Sequence, residues 1–263
     1  MNHRGGLALI RSTWLSWLQY RSFFFILAFG WMVPPLVAMF VWMAAAGDGE
    51  IAAMRRSAFI AYYLVLILVN QLTYSQTNWT VGDIIREGGL NHWLIRPLSP
   101  LYQILSSEIA GKVVYLVFTI PIIIFLVILL KPQFSFTLNQ FLIFWLSLIL
   151  SWILRFLWGL WIALLAFWAT RADALLALQN SLIFIFSGMI APISVMPALL
   201  QQVAGFLPFR YMVGFPVEIL TTYLPPNQII TGLWIQLFWT VLAGILTYFC
   251  WKFGLRRYTA IGG

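Results

Sequence analysis

The chain has 263 residues, of which 62% are hydrophobic and 8% charged, and its mean hydropathy is +0.93. Soluble domains hold about 45–50% apolar and about 25% charged residues, so this composition excludes a soluble globular protein and specifies a polytopic membrane protein. The net charge is +8, but no basic run or stacking motif accompanies it, which excludes nucleic-acid binding and leaves basic residues at the cytoplasmic ends of membrane helices.

Residues 1–21 come first. Leu7, Ile10, Trp14, Trp17 and Leu18 fall on one helical stripe, with Arg4, Arg11 and Arg21 interleaved along the segment. This pattern predicts an amphipathic helix lying in the membrane interface. The apolar run that follows ends in Ala44-Ala45-Ala46, which imitates a signal-peptidase site. It is too long for a signal core of about 7–15 residues, so it reads as a retained span.

A membrane helix needs about 20 apolar residues. On that measure the spans fall at 22–46, 57–78, 112–131, 138–169, 174–193 and 229–251. The expected fold is an all-α membrane protein of six transmembrane helices in one domain. Between the second and third spans lies a polar island, 82–100, and then a lead-in helix with Glu108 and Lys112 four residues apart on one face. Arg155 interrupts the fourth span, and the turn 170–173 leads into the fifth. The segment 190–227 carries Pro192, Pro197, Pro208, Pro216, Pro225 and Pro226. No single straight helix holds prolines at that density, so short re-entrant or interfacial helices are expected there.

Six spans put both termini on one side. That side then carries Arg4, Arg11, Arg21, Arg86, Arg96, Lys112, Arg171, Lys252, Arg256 and Arg257, while the other keeps Arg55, Arg56, Lys131 and Arg210. The asymmetry favours cytoplasmic termini, a cytoplasmic island and an outward proline-rich segment.

The chain has no phosphate-binding loop. Ala110-Gly111-Lys112 is the nearest echo, without the upstream Gly or the Ser/Thr after the Lys. His3 and His92 are far apart and no HExxH exists, so no metal site is expected. No Ser, His and Asp set forms a nucleophilic unit. No catalytic residue and no cofactor is therefore assigned to this chain, and any ATP with its Mg would be bound by a separate subunit. A secondary transporter would need ionisable groups at mid-membrane, where only Arg155 qualifies. A membrane-embedded lipid-modifying enzyme would need clustered His or carboxylates at one interface, which are lacking.

Polar residues inside the spans form two sets. Asn70, Thr73 and Thr77 share a face of the second span, and Gln179 and Asn180 fall in the fifth. They serve either as interhelical hydrogen bonds or as the lining of a watery path. Arg155 admits three roles: an interface or structural pair, a place at the subunit interface or pathway, or contact with an anionic substrate group. Arg210 and Glu218 are expected to form an ion pair within the proline-rich segment.

The island mixes apolar anchors (Ile84, Ile85, Leu90, Trp93, Leu94) with charges (Asp83, Arg86, Glu87, Arg96). Gly88-Gly89 permits a sharp break, and Pro97 and Pro100 close the segment. An amphipathic helix that docks into a partner's groove has these parts; one that lies on lipid headgroups shares many of them.

The island resembles the loop between the second and third spans of type-2 ABC transporter permeases, in the pattern Asp83-Ile84, Gly88, Leu90, Leu94, Arg96-Pro97-Leu98. Further matches are Arg171-Ala172-Asp173, Phe186-Ser187-Gly188 through Met196-Pro197, and Leu207-Pro208-Phe209-Arg210-Tyr211 with Phe215-Pro216. The resemblance implies the membrane half of an ATP-driven exporter in a bacterial cytoplasmic membrane. It implies a second permease subunit, identical or related, and two cytoplasmic ATPases. Residues 82–100 would be the coupling helix, with Asp83, Arg86, Glu87, Gly88, Leu90, Trp93, Leu94, Arg96 and Pro97 facing the ATPase. Residues 1–21 would be the connecting helix, and 190–227 would cap the path outside. The aromatic, sparsely charged interior points to an amphiphilic or lipid-linked substrate.

Overall fold

The computed structural model describes residues 3–19, 21–75, 77–134, 136–169, 172–222 and 224–258. The protein is an all-α membrane protein. Among the described residues, five helical stretches are long and apolar enough to cross a bilayer.

Helix α1 (His3–Gln19) precedes α2 (Arg21–Ala46). A two-residue hairpin, Glu50–Ile51 paired with Met54–Arg55, closes the next loop, where Ala52 and Ala53 take left-handed φ. Then come α3 (Arg56–Thr73), α4 (Thr77–Arg86) and the short α5 (Leu90–Leu94). α6 (Pro100–Leu130) and α7 (Leu138–Leu164) follow, with a 3-10 turn at Leu165–Phe167. α8 (Ala172–Phe186), α9 (Ala198–Phe206), α10 (Pro208–Met212) and α11 (Gly214–Thr221) lead to α12 (Pro226–Arg257).

Three differences from the expected spans have physical causes. The second span is broken: α3 ends at Thr73 and α4 opens at Thr77. The lead-in helix and the third span are one helix of 31 residues, about 46 Å long. Ser99 starts it as N-cap, with Pro100 in the first turn, where a missing N–H costs nothing. The apolar run at 174–193 is helical only to Phe186, so α8 has 15 residues, or about 22 Å. Gly188, at φ +86°, turns the chain away from it.

The described part of the proline-rich segment folds into a 3-10 turn at Ile193–Val195 and then α9, α10 and α11, with extended Leu207 between α9 and α10 and the single residue Val213 between α10 and α11. α10 and α11 are not superficial. Phe209, Tyr211, Met212, Phe215, Val217 and Ile219 are all buried, in one cluster with Phe59 and Tyr62 of α3 and Leu154 of α7. In α11 Arg210 of the preceding helix finds its partner: its Nη2 lies 2.6 Å from Glu218 Oε2, and its Nε reaches both carboxylate oxygens at 3.2 and 3.3 Å.

Buried polar bonds tie the bundle where lipid offers no substitute. Gln71 Nε2 donates to the Ala28 carbonyl, 3.1 Å, joining α3 to α2. Gln236 of α12 is fully buried. Its Nε2 donates to Ser147 O, Ser151 Oγ and Tyr211 O at 3.0, 2.8 and 2.9 Å, and its Oε1 accepts from Ser147 Oγ. One side chain thus joins α7, α10 and α12. Gln236→Leu strands these groups, and we expect a loss of about 1–3 kcal/mol, measurable as a lower midpoint in thermal unfolding of the detergent-solubilised protein.

A second apolar cluster holds Val81, Ile85 and Leu90 with Ile104, Phe156, Leu160 and Leu176, and Leu255 and Tyr258 pack against it. α1 lies along the start of α6: Thr13 Oγ1 is 3.4 Å from Ser106 Oγ, and Trp14 and Trp17 pack against Val114 and Tyr115. The N-terminal helix, the polar island and the end of α12 therefore share one end of the bundle.

Candidate functional site

The 82–100 island is a helix–turn–helix. Glu87, Gly88 and Gly89 make the turn, with Gly88 at φ +76°, a conformation that side chains with Cβ resist. Val81, Ile85 and Leu90 point inward and anchor both arms to α6 and α7. Asp83 pairs with Arg86 along α4.

The outward face differs from the inward one. Asp83, Glu87, His92, Arg96 and Pro97 are exposed. Leu94 is 43% and Ile95 81% exposed, so two neighbouring apolar side chains lie uncovered at the end of α5. Trp93 is only half-buried and turns towards Ile104, lining a cavity of about 180 Å³ beneath α1 together with Trp17, Tyr74 and Lys112. Leu90 is buried, Gly88 half-buried and Arg86 half-buried. The sequence singled out Trp93 and Leu94. It passed over Ile95, whose neighbours Arg96 and Pro97 give the only local sign that it leaves the helix.

The polar residues of the spans gather at one depth. Arg155 is buried; its Nη1 donates to Asn70 Oδ1 at 2.8 Å and Thr73 Oγ1 at 3.1 Å, and its guanidinium lies 5.2 Å from the Tyr74 ring centre. Thr77 opens α4, its side chain lying outside the described residues. On α6, Glu108 is buried, accepts from Ser75 Oγ at 2.7 Å and pairs with Lys112 at 2.9 Å. Lys112 also donates to the Tyr74 carbonyl at 3.0 Å. The Glu108/Lys112 spacing reads in sequence as an ordinary surface pair; two opposite charges on one face beside a long apolar run were the sign that they are buried.

The second polar set stands apart. Gln179 is buried on α8, with its Oε1 lacking a hydrogen-bond partner among the described residues, and Asn180 beside it is half-buried. Arg171 and Thr170 lie outside the described residues. No group of three or more His, Cys, Asp or Glu able to hold a metal occurs among the described residues.

The island thus has an exposed apolar and charged face, two arms rooted in the ends of long helices, and a buried charge cluster beside it where α3 ends. No curated protein and no solved structure matches the chain. A family model described as ABC-2 family transporter protein matches residues 49–262, most of the chain, and the chain belongs to that family of membrane permeases.

Proposed function

We propose that the chain is the membrane subunit of an ATP-driven exporter in a bacterial cytoplasmic membrane, working with a second permease subunit and with ATPase subunits docked on the 82–100 segment. Permeases of the family generally pair with ABC ATPases and form dimers. The observation that carries the reading is the paired exposure of Leu94 and Ile95 among Glu87, His92 and Arg96. Adjacent apolar anchors framed by charges fit a groove on a folded partner. The energy source is outside the chain, and this tip is where it enters. In this reading Asp83, Glu87 and Arg96 set the register of docking, and Leu90, Trp93 and Gly88 hold the tip in shape. ATP and Mg belong to the partner.

The termini and the tip face the cytoplasm, since they share one end of the bundle and carry the excess of Lys and Arg. α9–α11 then close the far side. Gln179 and Asn180 on the half-length α8 meet the partner subunit or the path between subunits. The cargo is an amphiphile or lipid-linked molecule, matching the aromatic, weakly charged interior.

Affinity purification of the tagged permease tests the reading directly. The wild type brings down an ATPase, and Ile95→Asp with Leu94→Asp releases it while leaving the permease in the membrane fraction. Loss of a docked hot spot is worth about 2 kcal/mol, roughly 30-fold in affinity. An ATPase bound equally by wild type and double variant would remove the tip from the docking surface, and a permease that purifies without any ATPase would sink the exporter reading.

A further inference from the structure

The two apolar clusters stack along the bundle. One holds the far ends of α2 and α3 with α10 and α11; the other holds α4, α5 and the near ends of α7 and α12. They meet at Arg155, for Leu154 before it belongs to the first cluster and Phe156 after it to the second.

The junction is polar in α3, α6 and α7. Thr73 and Arg155 each lie about 26 Å from the starts of α3 and α7, and Lys112 about 27 Å from the end of α6. All three depths fall near the edge of a hydrocarbon core about 30 Å thick. The second span breaks at this same level.

A helix end leaves its last carbonyls without partners. Here Lys112 of α6 takes the Tyr74 carbonyl, Glu108 takes the Ser75 hydroxyl, and Arg155 of α7 holds Asn70 and Thr73 in the last turn of α3. The break is therefore gripped from both sides by charged groups. Buried ion pairs add little stability compared with apolar packing of the same volume. They do offer discrete alternative pairings, which a packed apolar junction does not.

We propose that this charged layer is the hinge through which movement of the 82–100 segment reaches the outer half of the protein, and that Glu108, Lys112 and Arg155 are its positioning residues. This inference rests on the coupling reading above. Lys112 makes the break and α6 move as one body, and Arg155 makes the last turn of α3 follow α7. Without Lys112, α4 and α5 still move with the ATPase, but the bend is absorbed just after Thr73 and does not reach α9–α11.

Hydrogen exchange on the purified permease–ATPase complex tests this, with and without Mg²⁺ and a non-hydrolysable ATP analogue. In the wild type the nucleotide changes exchange at 77–100 and at 187–222. In Lys112→Met the change at 77–100 persists and the change at 187–222 is lost; Lys112→Arg, which keeps the charge, restores it. Glu108→Gln, which removes the charge that pairs with Lys112 but keeps the side chain's size, is measured beside it and shows the same loss, so the comparison stands even if Lys112→Met does not assemble. A response that passes undiminished to 187–222 in these variants overturns the proposal alone. A wild-type complex with bound ATPase and no response at 77–100 overturns the coupling reading, and this inference with it.

Discussion

Arg210→Met is expected to destabilise the protein by about 3–5 kcal/mol, the largest single effect we predict. The substitution strands Glu218, whose side chain is 6% exposed, without the guanidinium that holds it through three contacts. A carboxylate left alone in such a place has neither water nor a counter-charge. Glu218→Leu is expected to be milder, near 3 kcal/mol, because the Arg210 side chain remains 22% exposed and its charge partly reaches solvent. Joining both changes in one chain should cost less than Arg210→Met alone, since two apolar side chains can replace a buried ion pair with little loss. The measurement is a double-mutant cycle on unfolding midpoints in detergent. Additive losses would show that the two groups do not act as a pair. The pair matters beyond stability, because it joins α10 to α11, and α11 packs against both α3 and α7.

The second large effect is at Gly188. Its φ of +86° strains any residue with a Cβ, by about 1–2 kcal/mol. A Cβ there would also overlap the Tyr62 hydroxyl, which donates to the Gly188 carbonyl at 3.0 Å. Overpacking of this kind costs about 1–3 kcal/mol more. Gly188→Ala is therefore expected to lower stability by about 2–5 kcal/mol. Tyr62→Phe alone should cost about 1 kcal/mol, the net worth of one hydrogen bond. In the double variant the overlap disappears, because the next ring atom lies at an ordinary 3.6 Å. The double variant should then be more stable than Gly188→Ala alone, with the backbone strain remaining. Equal unfolding midpoints for Gly188→Ala and the double variant would place the damage in the backbone and not in the contact.

Much of the fold was legible in the chain because lipid imposes one strong rule. Backbone groups in hydrocarbon must bond internally, so long apolar runs become helices. The runs that became α2, α6, α7 and α12 are marked by composition alone. The prolines of 190–227 announced short helices, and the described residues hold three of them. Gly88-Gly89 announced the turn in the island.

What the chain order hid was depth and contact. α3 ends at Thr73 although apolar and polar residues run on without a proline, because the bonds that hold the break come from α6 and α7, not from the neighbours of Tyr74. Glu108 and Lys112 read alone as a surface pair, since their burial depends on α1 and α7 covering them. Gln236 carries no local mark at all; its four hydrogen bonds exist only where α7 and α10 cross α12.

The amino-acid sequence by itself determined that this protein is a multi-pass α-helical membrane permease with a charged island between its second and third spans. The membrane spans followed from hydropathy, and the permease from the resemblance of the pattern Asp83-Ile84, Gly88, Leu90, Leu94, Arg96-Pro97-Leu98 to type-2 ABC transporter permeases; both rest on neighbouring residues. Only the tertiary structure decided which face of the island meets solvent, why Ile95 stands out while Trp93 turns in, and where Arg155 finds its partners. The reason is that burial and charge pairing in a bundle are set by residues distant in the chain, and no local pattern contains them.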